Sequence, residues 1–409
     1  MSEPMHVSVR EQRSETTVTR RVSFGSADGP VELFFEVSGD VLPPSSELND
    51  FAVIAALFTA MREGRSMHVG GPVTDTLIRN LEEFQEAWSI WKTKYQPIRV
   101  TAEQMVPVKP ASARRGVFAL SGGVDGTFAL LRHHSGHTGL RTARPACAML
   151  IHGFDLPLAN RQAYDTVHRA ISAMTRTLGV PLATVRTNWR DVLCKSWEME
   201  FAAGLAACLY QFHGVANVGV FGADEDYAHI ELPWGSNPVT NRLLSGGGFE
   251  IHTEGGGFTR TDRVRLICDY PEIAAQLRVC WEGPRTGENC GLCEKCIRTK
   301  LNFMANNREP LCFDRKPTPR EILGLKARNP VQLAYLREIL TAAIKNGATG
   351  HWTSALRLAI AKNRAALPAR RLQSRVSGKV RSLFHRARPN APAAKRATPI
   401  AATSERGGT

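Results

Sequence analysis

Four cysteines in the C-terminal half of the chain have the spacing of a metal site. Cys290, Cys293 and Cys296 form a C-x2-C-x2-C segment, and Cys280 precedes it. A tetrahedral Zn²⁺ site needs four ligands, and a tight turn at Gly291 would let one short segment supply three of them. We therefore predict a structural Zn²⁺ with no open coordination position. An iron–sulfur cluster would use the same ligands and is the alternative, and disulfides are a weaker one.

A second stretch could bind an anion. Val117–Leu120 is an uncharged apolar run typical of a buried parallel strand, and a glycine turn and a helix start follow it. Such a turn directs backbone N–H groups and the positive end of a helix dipole toward one point. The alternative is a tight turn without a ligand. The predicted phosphate-binding residues are Ser121, Gly122, Gly123, Val124, Asp125, Gly126 and Thr127, with Asp125 orienting the turn or holding a phosphate-bound Mg²⁺.

The turn resembles the Ser-Gly-Gly-x-Asp-Ser loop of the N-type ATP pyrophosphatases, the PP-loop superfamily. This resemblance implies a Rossmann-like, HUP-type α/β fold and an enzyme that splits ATP into AMP and pyrophosphate. The closing serine of the family is Gly126 here. One hydroxyl contact is therefore lost or moved to Thr127.

The turn and the cysteines together resemble the 7-cyano-7-deazaguanine synthase branch of that superfamily, over about Val117 to Met304. In that branch a carboxylate is adenylated and ammonia attacks it. The Arg260-Thr261-Asp262 segment is similar to a Lys-Ala-Glu segment of the branch. Two further segments, 152–155 and 233–238, differ from the Tyr-Gly-Gln and Gly-Tyr-Pro-Asp segments found there. The resemblance therefore implies the ATP chemistry and the zinc, but not the deazaguanine substrate.

Apolar strands alternate with amphipathic helices after residue 113, which is typical of a doubly wound parallel sheet. Ligands of such sheets lie outside the carboxyl ends of the strands. We therefore expect His152 and Asp155 to face the nucleotide or substrate, although a turn histidine and a capping aspartate are equally good interpretations. Residues 233–238 are expected to contact the substrate. Arg260, with Arg263 beside it, is expected to reach phosphates, and the alternative is that both are surface arginines.

The chain of 409 residues is predicted to contain four parts. They are an N-terminal α+β domain (1–110), the PP-loop domain with the zinc knuckle (113–312), C-terminal helices (313–365) and a disordered basic tail (366–409). Residues before about Pro30 are polar and are expected to be frayed. Two tryptophans of the N-terminal domain, Trp88 and Trp91, are expected to seal its core.

The net charge of +14 lies largely in the tail, so it does not indicate a basic groove on the folded part. A solubilising extension is the favoured interpretation of the tail, and RNA contact is a further one. We see no secretory signal and no apolar segment of membrane-spanning length, so a cytoplasmic location is expected. Nine cysteines in such a chain favour metal binding over a disulfide framework.

These observations lead us to expect an adenylating ligase that uses ATP, Mg²⁺ and Zn²⁺. It would activate a carboxylate or amide-like oxygen of a small molecule for attack by nitrogen, with Asp125 and Arg260 as catalytic residues. One alternative is an RNA-modifying, thiolase-like enzyme. Another is a nucleotide-binding protein weakened in catalysis by Gly126. A homo-oligomer is compatible with each of these three functions.

Overall fold

One ten-stranded, mostly parallel sheet runs through the protein, with helices flanking it, and this confirms the predicted α/β class. The structure is a computed structural model. It describes residues 3–107, 113–280, 282–283 and 286–386, and for residues 369–386 it describes the backbone alone.

The element bounds follow the chain in order. The strands are β1 Met5–Arg13, β2 Thr17–Ser26, β3 Gly29–Gly39, β4 Met67–Thr74, β5 Val100–Val106, β6 Arg115–Ala119, β7 Arg144–His152, β8 Leu182–Thr187, β9 Val218–Gly222 and β10 Glu250–Glu254. The helices are α1 Asp50–Glu63, α2 Asp75–Trp91, α3 Val124–His134, α4 Arg161–Leu178, α5 Trp189–Val192, α6 Trp197–Leu209, α7 Arg260–Cys268, α8 Pro271–Ala275, α9 Glu294–Ala305, α10 Pro319–Leu323, α11 Pro330–Lys345 and α12 His351–Arg386.

The last five strands form a parallel group in the order β10-β9-β6-β7-β8. The chain starts at β6, adds β7 and β8 on one side, and then crosses over to add β9 and β10 on the other. This is a doubly wound arrangement, and its direction reverses beside β6. Ligands of open α/β sheets bind at such a reversal, outside the carboxyl ends of the strands. The Ser121 turn leaves β6 at this end.

The N-terminal strands continue the same sheet. Strand β3 pairs antiparallel with β8, and Val37 lies opposite Val185. Strands β2 and β1 follow in antiparallel order. Strand β4 then pairs in parallel with β1, and β5 pairs in parallel with β4. The predicted α+β unit thus shares one sheet with the part that carries the turn. The boundary predicted between them, at residues 110–113, falls largely on residues 108–112, which lie outside the described residues.

The expectation that residues before Pro30 are frayed is wrong, because they form β1 and β2. Met5, Val7, Val18 and Val22 are buried at alternate positions and face the core. Many polar residues lie between these apolar ones, so the composition of the segment does not reveal its period of two. Trp88 is fully buried and packs against Trp91, with 5.3 Å between ring centroids, as expected for a core seal.

Strand β6 separates two hydrophobic cores. Val117 and Met149 face the core that includes α1 and α6, whereas Phe118 and Leu150 face the core that includes α3 and α4. Both faces of the strand are therefore covered, which explains its uncharged sequence. The strand provides a rigid base for the turn that follows it.

The C-terminal helices form a smaller core with α9. Helix α12 continues to Arg386, so the structure is helical where the sequence predicted disorder over 366–386. Alanine, leucine and arginine favour helices, and this local propensity outweighs the effect of the segment's charge. The remaining part of the predicted tail, residues 387–409, lies outside the described residues. None of the helices in the described ranges carries an apolar stretch long enough to cross a bilayer.

Candidate functional site

The Ser121 turn leaves a row of backbone donors unused. Leu120 still donates to Met149 in the sheet, and the next amide with a backbone acceptor is that of Thr127, which donates to Gly123 over 3.1 Å. Gly122 has a φ of +80°, which favours glycine, and Gly123 caps helix α3. Within the described part of the chain, the N–H groups of residues 121–126 donate to no acceptor. The turn therefore offers a concave set of donors at a helix N-terminus, as an anion site requires.

Asp125 lies in the first turn of α3 and forms ion pairs with two arginines of α7. Arg260 Nη1 donates to its Oδ2 over 2.9 Å, and Arg263 Nη1 donates to its Oδ1 over 2.7 Å. Burial raises the pKa of Asp125, but Arg260, Arg263 and Lys295 together hold that pKa below its usual value. Because arginines occupy both oxygens, this donor set does not fit the predicted Mg²⁺. Asp125 instead orients the two arginines.

The two arginines differ in how fully the protein satisfies them. Arg263 also donates to the carbonyl oxygens of Ala223, Gly255 and Phe258. Arg260, in contrast, keeps its Nε and Nη2 groups buried without a partner. Native proteins seldom leave guanidinium donors in this state. An anion that entered beside the turn would satisfy them.

Two further cationic residues, Arg278 and Lys295, lie near the turn. The backbone N–H of Arg278 donates to the carbonyl oxygen of Gly122 over 2.8 Å, and its side-chain Nε is buried without a partner. Burial and the charge of Arg260 lower the pKa of Lys295, which also lies within electrostatic range of Asp125 and Asp155. Neither Lys295 nor Arg278 is among the residues predicted from the sequence to line this site. The site is thus more positive than the sequence indicated.

Thr127 does not supply the serine hydroxyl that the resemblance to the PP-loop implies. Its hydroxyl is fully buried and donates to Met174 Sδ over 3.7 Å, and its amide is used within the helix. Neither group of Thr127 is free for a phosphate. A Cβ added at Gly126 would lie 2.7 Å from the carbonyl oxygen of Ala119, so close packing against β6 explains the glycine.

His152 and Asp155 lie in different environments. His152 is buried, stacks on Tyr164 with 4.2 Å between ring centroids, and contacts the carbonyl oxygen of Pro157 through Nε2. Burial lowers its pKa, so it is a neutral turn histidine near pH 7. Asp155 is exposed and close enough to Lys295 to act on it electrostatically. Of the two, Asp155 is therefore the one associated with the turn.

The four cysteines converge as predicted. Their Sγ atoms all lie within 4.8 Å of one another, and the pairs Cys280–Cys293 and Cys290–Cys296 are both 3.9 Å apart. A Zn–S bond of about 2.3 Å in a tetrahedron places sulfur atoms about 3.8 Å apart, so the cluster fits a metal such as zinc. All four are free thiols. A hydrogen bond from Cys296 is the main reason that the pKa of Cys293 falls to about 4.

The cysteine cluster is attached to the turn. The Asn289 side chain, one residue before Cys290, accepts from the backbone N–H groups of Val279 and Cys280 and donates to Leu277. This holds the strand-like segment that carries Arg278 against Gly122. Lys295 lies between two of the ligands, in the first turn of α9. A metal at the cysteines would therefore fix two of the cations that face the turn.

A cleft lies beside the turn, at the ends of β9 and β10. Its empty space is about 420 Å³ when the adjoining open solvent is included, and about 30 Å³ of it can hold the centre of a water-sized sphere. Asp224, Glu225 and residues of the predicted substrate segment 233–238 line it. Trp234 Nε1 donates to Asp224 Oδ2 over 2.6 Å, and Tyr335 donates to Glu225 over 3.1 Å. Enclosure by the surrounding protein raises the pKa of Asp224 to about 6, although its side chain stays accessible from the cleft.

A second group of possible metal ligands consists of His133, His252 and Glu254. The backbone N–H of Ala143 donates to His133 Nδ1 over 3.0 Å. The neutral ring must then carry its proton on Nε2, the nitrogen that faces Glu254, and a protonated nitrogen cannot ligate a metal. This group is therefore a buried charge network, in which Arg132 also contacts Glu254 over 3.0 Å.

Comparison of the chain with protein-family models, with curated proteins and with solved structures finds no match. What the site does must therefore be argued from its own residues.

Proposed function

We propose that this protein is an ATP-dependent ligase of the adenylating type, with a HUP-type fold, whose turn over residues 121–126 binds the β- and γ-phosphates of ATP. The observation that carries this proposal is the meeting of unused donors at one point. The six consecutive N–H groups of residues 121–126 donate to no acceptor, and Arg260, which pairs with Asp125 in this turn, has no protein partner for Nε and Nη2. A polyphosphate supplies several charged oxygens within a few ångströms, which is what these donors need.

The residues would act mainly by positioning and by stabilising charge. An oxygen of the bound acid attacks the α-phosphorus, and the bond to the β-phosphate oxygen breaks, with its electron pair leaving on pyrophosphate. Arg260 and Lys295 would neutralise the charge on that leaving group. A nitrogen nucleophile then displaces AMP from the activated carbonyl carbon and loses a proton. No protein nucleophile is needed.

The metal at the cysteines would be zinc in a structural role. Four thiolates leave no open position, so it would supply no Lewis acid. Its contribution would be to hold Arg278 and Lys295 at the turn.

The products of ATP test the proposal directly. The protein would be incubated with ATP, Mg²⁺ and a panel of carboxylic acids, and AMP, ADP and pyrophosphate would be separated by chromatography. We expect AMP and pyrophosphate, together with exchange of labelled pyrophosphate into ATP. ADP as the sole product would overturn the proposal.

A nucleotide-binding protein without ligase activity is the second candidate, and the environment of Thr127 favours it. The hydroxyl that the PP-loop family supplies is absent at Gly126, and that of Thr127 points to Met174. Calorimetry that detects ATP binding, in a protein that gives neither exchange nor AMP with any acid, would select this candidate.

A further inference from the structure

We propose that the cleft at the ends of β9 and β10 binds an organic cation, a protonated primary amine, between the carboxylates of Asp224 and Glu225 and the rings of Tyr227 and Trp234. This inference rests on the proposed function in one respect only: the amine would be the nitrogen nucleophile, or its carrier. The binding itself needs no nucleotide.

The charge of the cleft is the first argument. Asp224, Glu225 and Glu231 all line it, and no Lys, Arg or His is among the described residues that do. Asp224 and Glu225 are each held by one neutral donor, the Trp234 indole and the Tyr335 hydroxyl respectively. Neutral donors fix the carboxylates in place but do not neutralise them, and the cations that act on Asp224, Lys295 and Arg263, lie outside the lining of the cleft. The cleft therefore favours a positively charged ligand.

The aromatic walls are the second argument. The Tyr227 ring is 64% exposed, and its backbone N–H donates to Gly256 over 2.7 Å, which fixes the residue at the cleft. The Trp234 ring packs beside Phe201, with 6.1 Å between centroids, and its N–H is tied to Asp224. Aromatic faces beside carboxylates attract ammonium groups that carry apolar substituents. A bare inorganic cation would gain little from these rings.

A divalent metal is the main rival, and the geometry disfavours it. In the described ranges, ligand atoms of three or more His, Cys, Asp or Glu residues converge within 4.8 Å only at the cysteines and at the His133 group. The three carboxylates of the cleft therefore do not converge as the ligands of one metal ion would.

The position of the cleft connects it to the turn. Asp224 follows Ala223, whose carbonyl oxygen accepts from Arg263, the same arginine that pairs with Asp125. An amine held at Asp224 would thus lie next to the phosphate-binding turn. A nucleophile that attacks an adenylated acid has to be held in such a position.

Three ligands of similar size and different charge test the charge preference of the cleft without any mutation. Benzylamine, benzyl alcohol and benzoate would be titrated into the full-length protein by calorimetry at pH 7.5, without nucleotide. We expect measurable binding of benzylamine, at least tenfold weaker binding of the alcohol, and none of benzoate. Equal binding of the amine and the alcohol, or displacement of benzylamine by 10 mM Mg²⁺, would overturn the inference.

Variants then place the ligand. Asp224→Asn should weaken benzylamine binding at least tenfold, and Trp234→Phe should weaken it less. Glu83→Gln is the matched control, because Glu83 is exposed, pairs with Arg242 and does not line the cleft. Benzylamine binding that persists unchanged in Asp224→Asn would contradict the assignment. Because ATP is absent, a failure here is separate from a failure of ATP to give AMP.

Discussion

Arg263 donates to Asp125 across 2.7 Å and so joins the first turns of α7 and α3, which lie 138 positions apart in the chain. Its remaining donors go to backbone carbonyls, so the protein satisfies it completely. Arg260 shares the same carboxylate and has two groups to spare. One arginine therefore builds the site, and the other is available to a ligand.

Arg260→Met should weaken ATP binding about 10- to 100-fold, the usual worth of a charge-assisted hydrogen bond. Its thermal stability should change little, since Asp125 keeps its bond to Arg263. Calorimetric titration with ATP and a thermal melt measure both effects. Arg265→Met is the control, because Arg265 is exposed on the same helix. Arg263→Met should instead destabilise the fold by about 3–5 kcal/mol. Besides one of the two partners of Asp125, it removes the donor to three backbone carbonyl oxygens that Arg260 does not contact.

Cys293→Ser should reduce the bound metal measured by mass spectrometry and lower the unfolding temperature. It should also weaken ATP binding, because the cluster holds Arg278 and Lys295 at the turn. Cys268→Ser, which removes a thiol outside the cluster, should keep the metal. A Cys293→Ser protein with a full complement of metal would show that the four cysteines do not form the site.

Gly126→Ala should destabilise the protein by about 1–3 kcal/mol, because its Cβ would meet the Ala119 carbonyl oxygen at 2.7 Å. Gly257→Ala is the matched control, since a Cβ there has no neighbour within 4 Å. Denaturant unfolding compares the two. Gly126→Ser should carry the same penalty and should not raise pyrophosphate exchange. A stable Gly126→Ser protein with faster exchange would refute the packing argument.

Glu254→Gln should destabilise the protein by about 3–5 kcal/mol near neutral pH, because Arg132 would lose its buried partner. Burial raises the pKa of Glu254. The opposite effect of four neighbours is larger and holds the pKa well below its usual value; they are His133, His252, Arg132 and Arg141. The ion pairs of this carboxylate therefore stabilise the fold above about pH 4.5, and their contribution is lost as the pH falls through the lowered pKa. Urea unfolding between pH 3 and 8 should show a flatter acid limb in the variant.

His252 supplies an independent readout of the same network. Burial lowers its pKa, yet contacts with Glu250 and Glu254 raise it above 6.5 overall. Its charged form therefore stabilises the fold at low pH, and this contribution is lost as the pH rises through the raised pKa. NMR titration should place the His252 pKa above 6.5 in the wild type and lower it in Glu254→Gln. An unchanged pKa would mean that the two side chains do not interact.

Short-range patterns predicted the parts of the site that lie close together in the chain. The apolar run before Ser121, the glycine turn and the helix after it appear as expected, and so does the convergence of the cysteines. Each of these depends on residues close together in the chain, and even Cys280 precedes Cys290 by only ten positions. Steric and spacing rules are reliable over that range.

Contacts between distant segments escaped the sequence argument. Nothing local shows that Arg278 would lie against Gly122, or that Lys295 would face Asp125 instead of the metal. His152 was ambiguous for the same reason, because its stacking partner Tyr164 lies in the following helix. Such positions are set by how helices pack on the sheet, and a single sequence does not encode that packing in any short motif.

The antiparallel pairing of β3 with β8 has a practical consequence for the study of fragments of the protein. Removing the first hundred residues would strip β8 of its neighbour and leave an open row of backbone donors and acceptors along the sheet. A fragment starting at residue 113 should therefore self-associate through that bare edge. The part that carries the Ser121 turn has to be studied with the N-terminal strands in place.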